Sequence, residues 1–246
     1  MKSEYVARYA QITASNWWVR SRHDLVRRLT VDALGQPPRR VLDVGTLDGA
    51  LLARFGTADI RLGVDYQIAG HARTAGALLD SGHFTKASAC LLPFPTESLD
   101  AVLSVDVLEH IDEHTVALDE ASRVLTPGGV LVLAVPAHEW LRTSRDAYLG
   151  HLRRYARRDL KELVQAAGFR IQHSTFFAMP SMFGLLGLRL LEGVRAIPPN
   201  QANNAAQMRT GRLNAMLYQL ATVEATLARV LGLPFGSSIV IVAVKP

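Results

Sequence analysis

The stretch that decides the fold is Arg40–Phe55, which reads RVLDVGTLDGALLARF. Its residues Val41–Val44 are short, apolar and partly β-branched, which is typical of a buried strand. Gly45 and Gly49 follow and predict a tight turn, and a helix is expected after them. A strand, a glycine turn and a helix in this order are typical of a ligand-binding loop in an α/β protein.

Further strand-length apolar segments recur along the chain, with helical patterns between them. They lie at Ile60–Val64, Phe84–Ala87, Ala101–Val105 and Val130–Val135, and a last one, SSIVIVAVK, covers residues 237–245. Continuous apolar runs bounded by Gly and Pro indicate strands that are buried on both faces, as in a parallel sheet. The alternation of strands and helices therefore predicts a doubly wound α/β fold.

Several helix boundaries can be predicted from the residues between these strands. Asp112 is expected to cap a helix, and Pro127-Gly128-Gly129 is expected to stop it. The apolar positions of this helix are Val116, Ala117, Ala121 and Val124. A second helix carries Leu160, Leu163, Val164 and Ala167, and Gly168 is well placed as the residue after its cap.

The C-terminal part of the chain has a different composition. Ser174–Pro199 is rich in Phe, Leu, Met and Gly, and Pro198–Met208 is polar and reads as a linker or loop. A long amphipathic helix is predicted beyond it, with Leu213, Met216, Leu217, Leu220, Val223, Leu227 and Val230 on one face. Within the first segment, Phe176–Leu188 is too short to span a membrane, so we expect a helix packed over the core and keep a peripheral membrane contact open.

Composition and charge narrow the class of protein. The chain has 246 residues, of which 49% are hydrophobic and 20% charged, and this is ordinary for a globular protein with a large core. The net charge of +5 permits an acidic partner but does not require nucleic acid. A single cysteine, Cys90, excludes an internal disulfide framework, and no signal peptide is visible, so a cytoplasmic location is expected.

Two acidic residues flank the glycine turn and indicate what it binds. Asp43 precedes Gly45, and Asp65 ends the second strand, where a carboxylate can accept hydrogen bonds from both hydroxyls of a ribose. The dinucleotide pattern G-x-G-x-x-G fails, because Leu47 and Ala50 stand where its second and third glycines would fall. A carboxylate before the turn would repel a pyrophosphate but would suit a cationic ligand, and S-adenosylmethionine fits this description.

Four segments in series resemble successive motifs of the class I S-adenosylmethionine-dependent methyltransferases. They are VLDVGTLDG, IRLGVDY, ASACLLPFPTESLDAVLSVDVLEHI and ASRVLTPGGVLVLAVPA, and together they cover residues 40–137. The resemblance implies a Rossmann-like fold with a seven-stranded, mostly parallel sheet, N-terminal helices and a C-terminal helical insertion before the last strand. It further implies a single domain over residues 1–246, with a helical cap (1–38), a cofactor-binding core (39–137), acceptor-side segments with a helical lid (138–235) and the last strand (236–246).

The resemblance also implies roles for particular residues. The predicted cofactor-binding residues are Asp43, Gly45, Thr46, Leu47, Gly49, Asp65, Tyr66, Ser88, Ala89, Val105, Asp106 and His110. Two of them depart from the family pattern. Leu47 replaces the middle glycine of the usual loop, and Ser88 replaces the usual aspartate that reads the adenine edge. Both departures are expected to weaken cofactor binding without removing Asp43 or Asp65.

The segment after the fifth strand, residues 138–158, carries six arginines and is expected to form the acceptor side. It resembles a bacterial subgroup with a GHxRRY pattern, here residues 150–155, a WWxxxR element at residues 17–22 and an LPFG pattern near the C-terminus. His151, and after it His138, are predicted as catalytic bases. The predicted acceptor-binding residues are Trp18, Arg22, Trp140, Arg142, Arg154 and Tyr155, and Arg142, Arg153 or Arg154 could hold a carboxylate or phosphate.

These patterns predict methyl transfer to an oxygen or nitrogen atom of a small, lipid-linked or peptide acceptor. A hydrophobic acceptor in biosynthesis, such as a natural product, is expected from the apolar segment after residue 175. A non-catalytic S-adenosylmethionine-binding protein and a nucleic-acid methyltransferase stay open as alternatives. The second is disfavoured because the arginines are local and no recognition module is visible. No metal is predicted, and the oligomeric state is left open.

Overall fold

The computed structural model describes residues 16–66, 82–194 and 212–246. Seven strands form one sheet in the order β3-β2-β1-β4-β5-β7-β6. The described elements are α1 (Trp17–Leu34), β1 (Arg40–Val44), β2 (Ile60–Asp65), β3 (Gly82–Lys86), β4 (Leu99–Val105), α2 (His114–Val124), β5 (Leu125–Pro136), α3 (Ser144–Leu149), α4 (Arg157–Ala166), β6 (Arg170–Phe177), α5 (Met179–Val194), α6 (Arg212–Val230) and β7 (Ser238–Val244). The predicted doubly wound, mostly parallel sheet is confirmed.

The order of the strands fixes where a ligand can bind. Strand β1 pairs in parallel with β2 on one side and with β4 on the other, so the order of the strands reverses between β1 and β4. Strand β7 is antiparallel to both of its neighbours, β5 and β6. The carboxyl ends of β1 and β4 therefore lie side by side, which is the place where open α/β sheets bind their ligands.

Burial of the central strands agrees with their apolar sequences. Residues 130–135 of β5 and 239–243 of β7 are at most 1% exposed. One hydrophobic core lies on the face that α2 and α4 cover, with Leu118 and Leu160 among its members. The other lies on the face covered by α1 and α6, where Leu25 and Ala228 are buried.

Helix α1 is fixed at both ends and along its length. The Asn16 side chain accepts hydrogen bonds from the Trp18 and Val19 amides at its start, and Gly35 ends it in the left-handed conformation. The Asn214 side chain of α6 accepts a hydrogen bond from the Trp17 amide, at 3.0 Å. Helices α1 and α6 are therefore joined at the end of α1 that lies nearest the strand ends of the site.

Several predicted boundaries were wrong. In place of a helix after the glycine turn, the structure has one turn of 3-10 helix, Leu52–Phe55. Helix α2 begins after Glu113, and Asp112 does not cap it, since the Asp112 carboxylate lies 3.7 Å from Arg153. Residues 127–129 lie inside β5 rather than at the helix end, because the chain is already extended at Leu125.

Other details of the helices can be compared in the same way. Ala117, Ala121 and Val124 of α2 are buried as predicted, but Val116 is 40% exposed. Gly168, at φ +85°, follows the end of α4 as predicted. Strand β6 was not predicted as a separate element, because Arg170–Thr175 is mostly polar and offers no continuous apolar run.

Helix α6 has the predicted apolar face, but this face is turned towards the surface and not towards the core. Side chains of Met216, Leu220, Val223, Leu227 and Val230 are 44–69% exposed. The helix packs instead through small residues, of which Ala221, Ala225 and Ala228 are at most 4% exposed. Small side chains allow α6 to approach α1 closely, and this contact outweighs the burial of the larger residues.

Helix α5 is also more exposed than predicted. Phe183, Leu190 and Leu191 are 59–64% exposed, and the expectation that Phe176–Leu188 packs over the core is wrong for Phe183. Across the described ranges, no helix has the length and apolarity needed to cross a membrane. The predicted linker at 198–208 and residues 1–15 of the predicted N-terminal cap lie outside the described residues.

Candidate functional site

The glycine turn after β1 is built by three residues with positive φ. Gly45 has φ +75° and Gly49 has φ +74°, a region that glycine adopts without steric cost. The amide of Gly45 donates to the carbonyl of Val64 at the end of β2, at 2.7 Å. A Cβ atom on Gly45 would lie 2.3 Å from Cγ2 of Val107, so the loops after β1 and β4 touch here and require glycine.

Leu47 occupies the third position of positive φ, at +46°. A leucine in the left-handed region is strained, and a glycine in its place would not be. The Leu47 amide donates to Oδ2 of Asp65 at 3.4 Å, so the turn and the end of β2 are in contact. The departure from the family pattern at Leu47 therefore costs backbone energy, and does not break the loop.

Three carboxylates converge on this turn. Asp43 is only 3% exposed, and burial raises its pKa to about 8. The nearby Thr46 hydroxyl offsets part of this shift, whereas the negative charges of Asp48 and Asp65 raise the pKa further. A cationic ligand would be attracted by Asp48 and Asp65 and would favour loss of the Asp43 proton, whereas a phosphate would be repelled. The residues present therefore suit the ammonium and sulfonium groups of S-adenosylmethionine.

The predicted adenine side of the site lies beyond β2 and β3. Tyr66 is 71% exposed, and the ammonium of Lys86 lies 5.8 Å from the centre of its ring. The Ser88 hydroxyl accepts a hydrogen bond from the Cys90 amide at 3.1 Å and so helps to form a turn. Ala89 beside it is half-buried. The ring of Tyr66 is thus accessible, whereas the Ser88 hydroxyl already accepts a hydrogen bond from within the chain.

The end of β4 joins the turn to helix α1. Val105 is the last residue of the strand, and Asp106 follows it with φ +55°. The Asp106 carboxylate forms an ion pair with Arg22 at 2.5 Å, and the Arg22 side chain is 1% exposed. The Arg22 guanidinium also lies 4.1 Å from the Trp18 ring centre. Arg22 is therefore committed to Asp106 and Trp18, and its surroundings do not support the predicted role in binding an acceptor.

Beyond Asp106, the structure brings together His110, which was predicted to bind the cofactor, and His151, which was predicted to act as a base. The rings of His110 and His151 meet edge to face, with 4.9 Å between their centres. Nδ1 of His110 is hydrogen-bonded to the Gly150 carbonyl at 3.0 Å. Burial, followed by the neighbouring His151, lowers the pKa of His110.

Glu109 completes this group and was missed by the sequence analysis. It is fully buried, and its Oε1 lies 3.9 Å from Nε2 of His151. Neither of its carboxylate oxygens has a hydrogen-bond partner among the described residues. Burial and the nearby charge of Asp106 raise the pKa of Glu109 well above its usual range. In the sequence, the only indication of a role for Glu109 was its position directly before His110.

Asp146 is the second residue that the sequence analysis missed, and it orients His151. Its Oδ1 lies 2.8 Å from Nδ1 of His151, and the Arg154 guanidinium binds both of its oxygens, at 2.9 and 3.0 Å. Burial would raise the pKa of Asp146, but the hydrogen bond from His151 and the charge of Arg154 hold it well below its usual range. Thr143 and Asp146 also form a capping box at the start of α3, a T-x-x-D pattern that sequence reasoning could have used.

Three arginines of the acceptor-side segment, Arg142, Arg153 and Arg154, are bound within the chain. Arg142 contacts Glu139 and the carbonyls of His151 and Leu152, and Arg153 contacts His114. Arg154 is 7% exposed and held by Asp146. These surroundings do not support the prediction that these arginines hold a carboxylate or phosphate. They stabilise the segment that carries His151.

The remaining predicted acceptor residues differ in exposure. Tyr155 is 5% exposed and donates its hydroxyl hydrogen to the Leu108 carbonyl at 3.1 Å, so it is a core residue. Trp140 is 51% exposed. His138 stacks on Phe176 with 5.1 Å between ring centres, and burial lowers its pKa. Trp140 is therefore the most accessible of the predicted acceptor residues.

Comparison with known proteins gives a family match. Residues 18–174 match the model of a methyltransferase domain. The chain is 32% identical over 167 residues to a protein of Mycolicibacterium smegmatis named as a probable S-adenosylmethionine-dependent methyltransferase, covering 65% of this chain and 62% of the relative. It is 33% identical over 144 residues to a ubiquinone/menaquinone biosynthesis C-methyltransferase of Vibrio vulnificus, covering 53% of this chain and 55% of the relative.

A solved structure is similar over nearly the whole chain. A Thermotoga maritima protein described as an S-adenosylmethionine-dependent methyltransferase and possible histamine N-methyltransferase superimposes with a TM-score of 0.60. The match covers 99% of this chain and 97% of that one, at 19% identity, and therefore concerns the fold alone. The matched region spans about three fifths of the two curated relatives.

Proposed function

This chain belongs to the methyltransferase domain family, and on that premise we propose that it transfers a methyl group from S-adenosylmethionine to an acceptor. The acceptor atom is an oxygen or a nitrogen, and the acceptor is a small hydrophobic molecule, either free or carried on a lipid or peptide.

The carboxylates around the glycine turn carry this proposal. Asp48 and Asp65 place negative charge beside the buried Asp43 at the reversal point between β1 and β4. In this arrangement Asp43 and the turn face the cationic methionine end of the cofactor, and Asp65 accepts hydrogen bonds from the ribose hydroxyls. Tyr66 lies beside the ribose and adenine.

S-adenosylmethionine supplies, when bound, a methyl carbon that its sulfonium has already activated for displacement. The chain has to position the acceptor atom in line with that carbon and to exclude water. The Arg22–Asp106 ion pair holds α1 against the end of β4, and the contact between Gly45 and Val107 holds the two loops together. Positioning by these contacts is the chain's main contribution to the rate.

His151 remains the residue that we propose to act on the acceptor. Its side chain is 8% exposed, and Asp146 fixes its ring by a hydrogen bond to Nδ1. That bond leaves Nε2 as the atom that faces Glu109 and His110. His138 is a weaker candidate, because its ring stacks on Phe176 and also contacts the tilted ring of Trp140.

The apolar surface next to this segment supports a hydrophobic acceptor. Helix α5 contributes exposed Phe183, Leu190 and Leu191, and its Arg189 donates to the Arg142 carbonyl at 2.6 Å. Trp140 is exposed close to this junction. An apolar acceptor, or the lipid or peptide that carries one, could lie along this surface.

Calorimetric titration with S-adenosylmethionine, and separately with its demethylated product, tests the cofactor. We expect binding of both by the wild-type chain and much weaker binding by Asp65→Ala. Asp59→Ala is the matched control, because Asp59 is an exposed acid at the opposite end of the sheet. An absence of heat with both ligands would rule out the proposed function.

The acceptor class is tested with methyl-labelled S-adenosylmethionine and a lysate of the source cells. We expect the wild-type chain to move label into molecules that organic solvent extracts, and Asp65→Ala to move little. Label that appears only in water-soluble products would contradict the hydrophobic acceptor and leave methyl transfer intact.

A further inference from the structure

The two histidines and the buried glutamate form a group whose geometry is that of a metal site. One ligand atom each from Glu109, His110 and His151 lies within 4.8 Å of the others. We propose that these three residues bind one divalent transition-metal ion, with Zn²⁺ the best match to two imidazoles and one carboxylate.

The hydrogen bonds of the two rings support this proposal. Nδ1 of His151 bonds to the Asp146 carboxylate at 2.8 Å, and Nδ1 of His110 bonds to the Gly150 carbonyl at 3.0 Å. A carbonyl or an ionised carboxylate only accepts, so Nδ1 carries the hydrogen in each ring and Nε2 carries the lone pair. Metal-binding histidines commonly have this arrangement, with the second nitrogen bonded to a carboxylate or carbonyl.

The buried glutamate is the second, independent observation. Glu109 is 0% exposed, and both of its oxygens lack a hydrogen-bond partner among the residues described. Leaving a buried carboxylate without a partner is unfavourable, and pairing it with a cation removes that cost. Its Oε1 faces Nε2 of His151 at 3.9 Å, so the carboxylate is directed at the place where an ion would lie.

The distances are compatible with an ion after small side-chain movements. Ligands of a tetrahedral Zn²⁺ with bonds of about 2.1 Å are separated by about 3.4 Å. The Glu109–His151 separation of 3.9 Å needs to close by roughly half an ångström, and the widest separation in the group, which is at most 4.8 Å, by up to about 1.4 Å. Three protein ligands leave a fourth position open, as catalytic zinc sites do.

The catalytic role of the ion rests on the proposed function, whereas the binding of the ion to the chain does not. An acceptor oxygen or nitrogen in the fourth position would lose its proton to water more readily, because the ion stabilises the deprotonated form. The new bond then forms from that atom to the methyl carbon as the carbon–sulfur bond breaks, and sulfur keeps the electron pair. This role uses the His151 Nε2 lone pair, so it excludes direct proton transfer to His151.

Metal binding by the full chain is measured after treatment with a chelator and removal of the chelator. We expect Zn²⁺ titration to give one ion per chain, and Co²⁺ to give the intense visible absorption of a tetrahedral site. His151→Ala and Glu109→Gln are each expected to weaken Zn²⁺ binding by more than about 100-fold, since lost outer-shell contacts alone cost 10–100-fold. His83→Ala, at an exposed histidine on β3, is the control and should bind as the wild type does.

Thermal unfolding shows whether a variant has failed to fold or has lost only the ion. Glu109→Gln keeps the size and shape of the buried side chain, so the metal-free variant should melt close to the temperature of the wild type but gain nothing from Zn²⁺. His110→Ala, at a half-buried position, is the second variant and should lose the same gain. Stoichiometric binding that is unchanged in all three variants, or no binding of either metal by the wild type, would overturn the proposal.

These outcomes are independent of the cofactor titration. Cofactor binding without metal binding would remove the metal site and leave His151 as a direct proton acceptor. Metal binding without cofactor binding would remove the proposed methyl transfer and leave the metal site.

Discussion

Nδ1 of His151 lies 2.8 Å from Oδ1 of Asp146, and this contact determines which nitrogen of His151 faces the candidate site. Asp146 in turn binds the buried Arg154 through both of its oxygens. One carboxylate therefore compensates a buried positive charge and orients an imidazole.

Replacement of Asp146 by asparagine should be strongly destabilising. The change leaves the Arg154 charge buried without its partner, and breaking a buried ion pair in this way costs about 3–5 kcal/mol. Urea unfolding measures the loss. Asp112→Asn is the matched control, because its exposed pair with Arg153 is 3.7 Å long and should contribute less than about 1 kcal/mol. Equal effects of the two changes would contradict this assignment.

The stability of the ligand-free chain should fall as pH rises towards 8 because of Asp43. Its pKa of about 8 in the folded chain is above the ordinary value, so the folded chain keeps a proton that the unfolded chain releases near pH 4. Asp43 therefore contributes stability that is fully present below about pH 4 and is lost as pH rises through the folded pKa. Melting temperatures from pH 5 to 9 should fall less steeply in Asp43→Asn. A slope that is the same in both proteins would contradict the prediction.

Leu47→Gly should stabilise the chain relative to Leu47→Ala. Glycine relieves the positive φ of +46°, worth about 1 kcal/mol, whereas alanine loses the leucine side chain and keeps the strain. Chemical denaturation of the three proteins measures the difference, and calorimetry with S-adenosylmethionine shows whether the relaxed turn binds more tightly. If Leu47→Gly is no more stable than Leu47→Ala, backbone strain does not explain this position.

Gly45→Ala should be more harmful than an alanine at another glycine of similar φ. Its new Cβ would meet Val107 at 2.3 Å, whereas Gly128, at φ +79°, has no atom within 4 Å of that place. Both changes carry the conformational cost of positive φ, and only Gly45→Ala adds a clash, for about 1–3 kcal/mol more. Val107→Ala should restore part of the loss in a double-mutant cycle. Additive effects would show that the two loops are not in contact.

Substitutions on α6 should distinguish its packed face from its exposed face. Leu220→Ala, at a position 58% exposed, should change unfolding free energy by no more than about 0.5 kcal/mol. Ala228→Leu, at a position 0% exposed, should cost about 1–3 kcal/mol through overpacking. The opposite order would mean that the large apolar residues face the core.

The sequence was sufficient to determine the fold and to find the residues that meet at the reversal point of the sheet. In a fully apolar run such as residues 130–135, the side chains on both faces of the strand are apolar. Such a strand is stable only in a sheet that is covered on both sides. The glycine at 45 and the acids at 43 and 65 lie at strand ends, and parallel strands bring such ends together without further information. These residues could be found because their roles depend on local backbone geometry and on strand order.

Only the tertiary structure determined the contacts of the acceptor side. Glu109 lies in the connection after β4, whereas Asp146 and His151 lie in the connection after β5, and no periodicity relates the two segments. The arginines near residue 150 were predicted to be available for binding an acceptor. In the folded chain, however, Arg142, Arg153 and Arg154 donate hydrogen bonds to acceptors of the same chain. Likewise, α6 packs through its alanines and leaves its larger apolar residues exposed. Small side chains are needed there because they let α6 approach α1 closely. Sequence patterns record which residues are apolar or charged, whereas the partner of each one is decided when distant segments pack together.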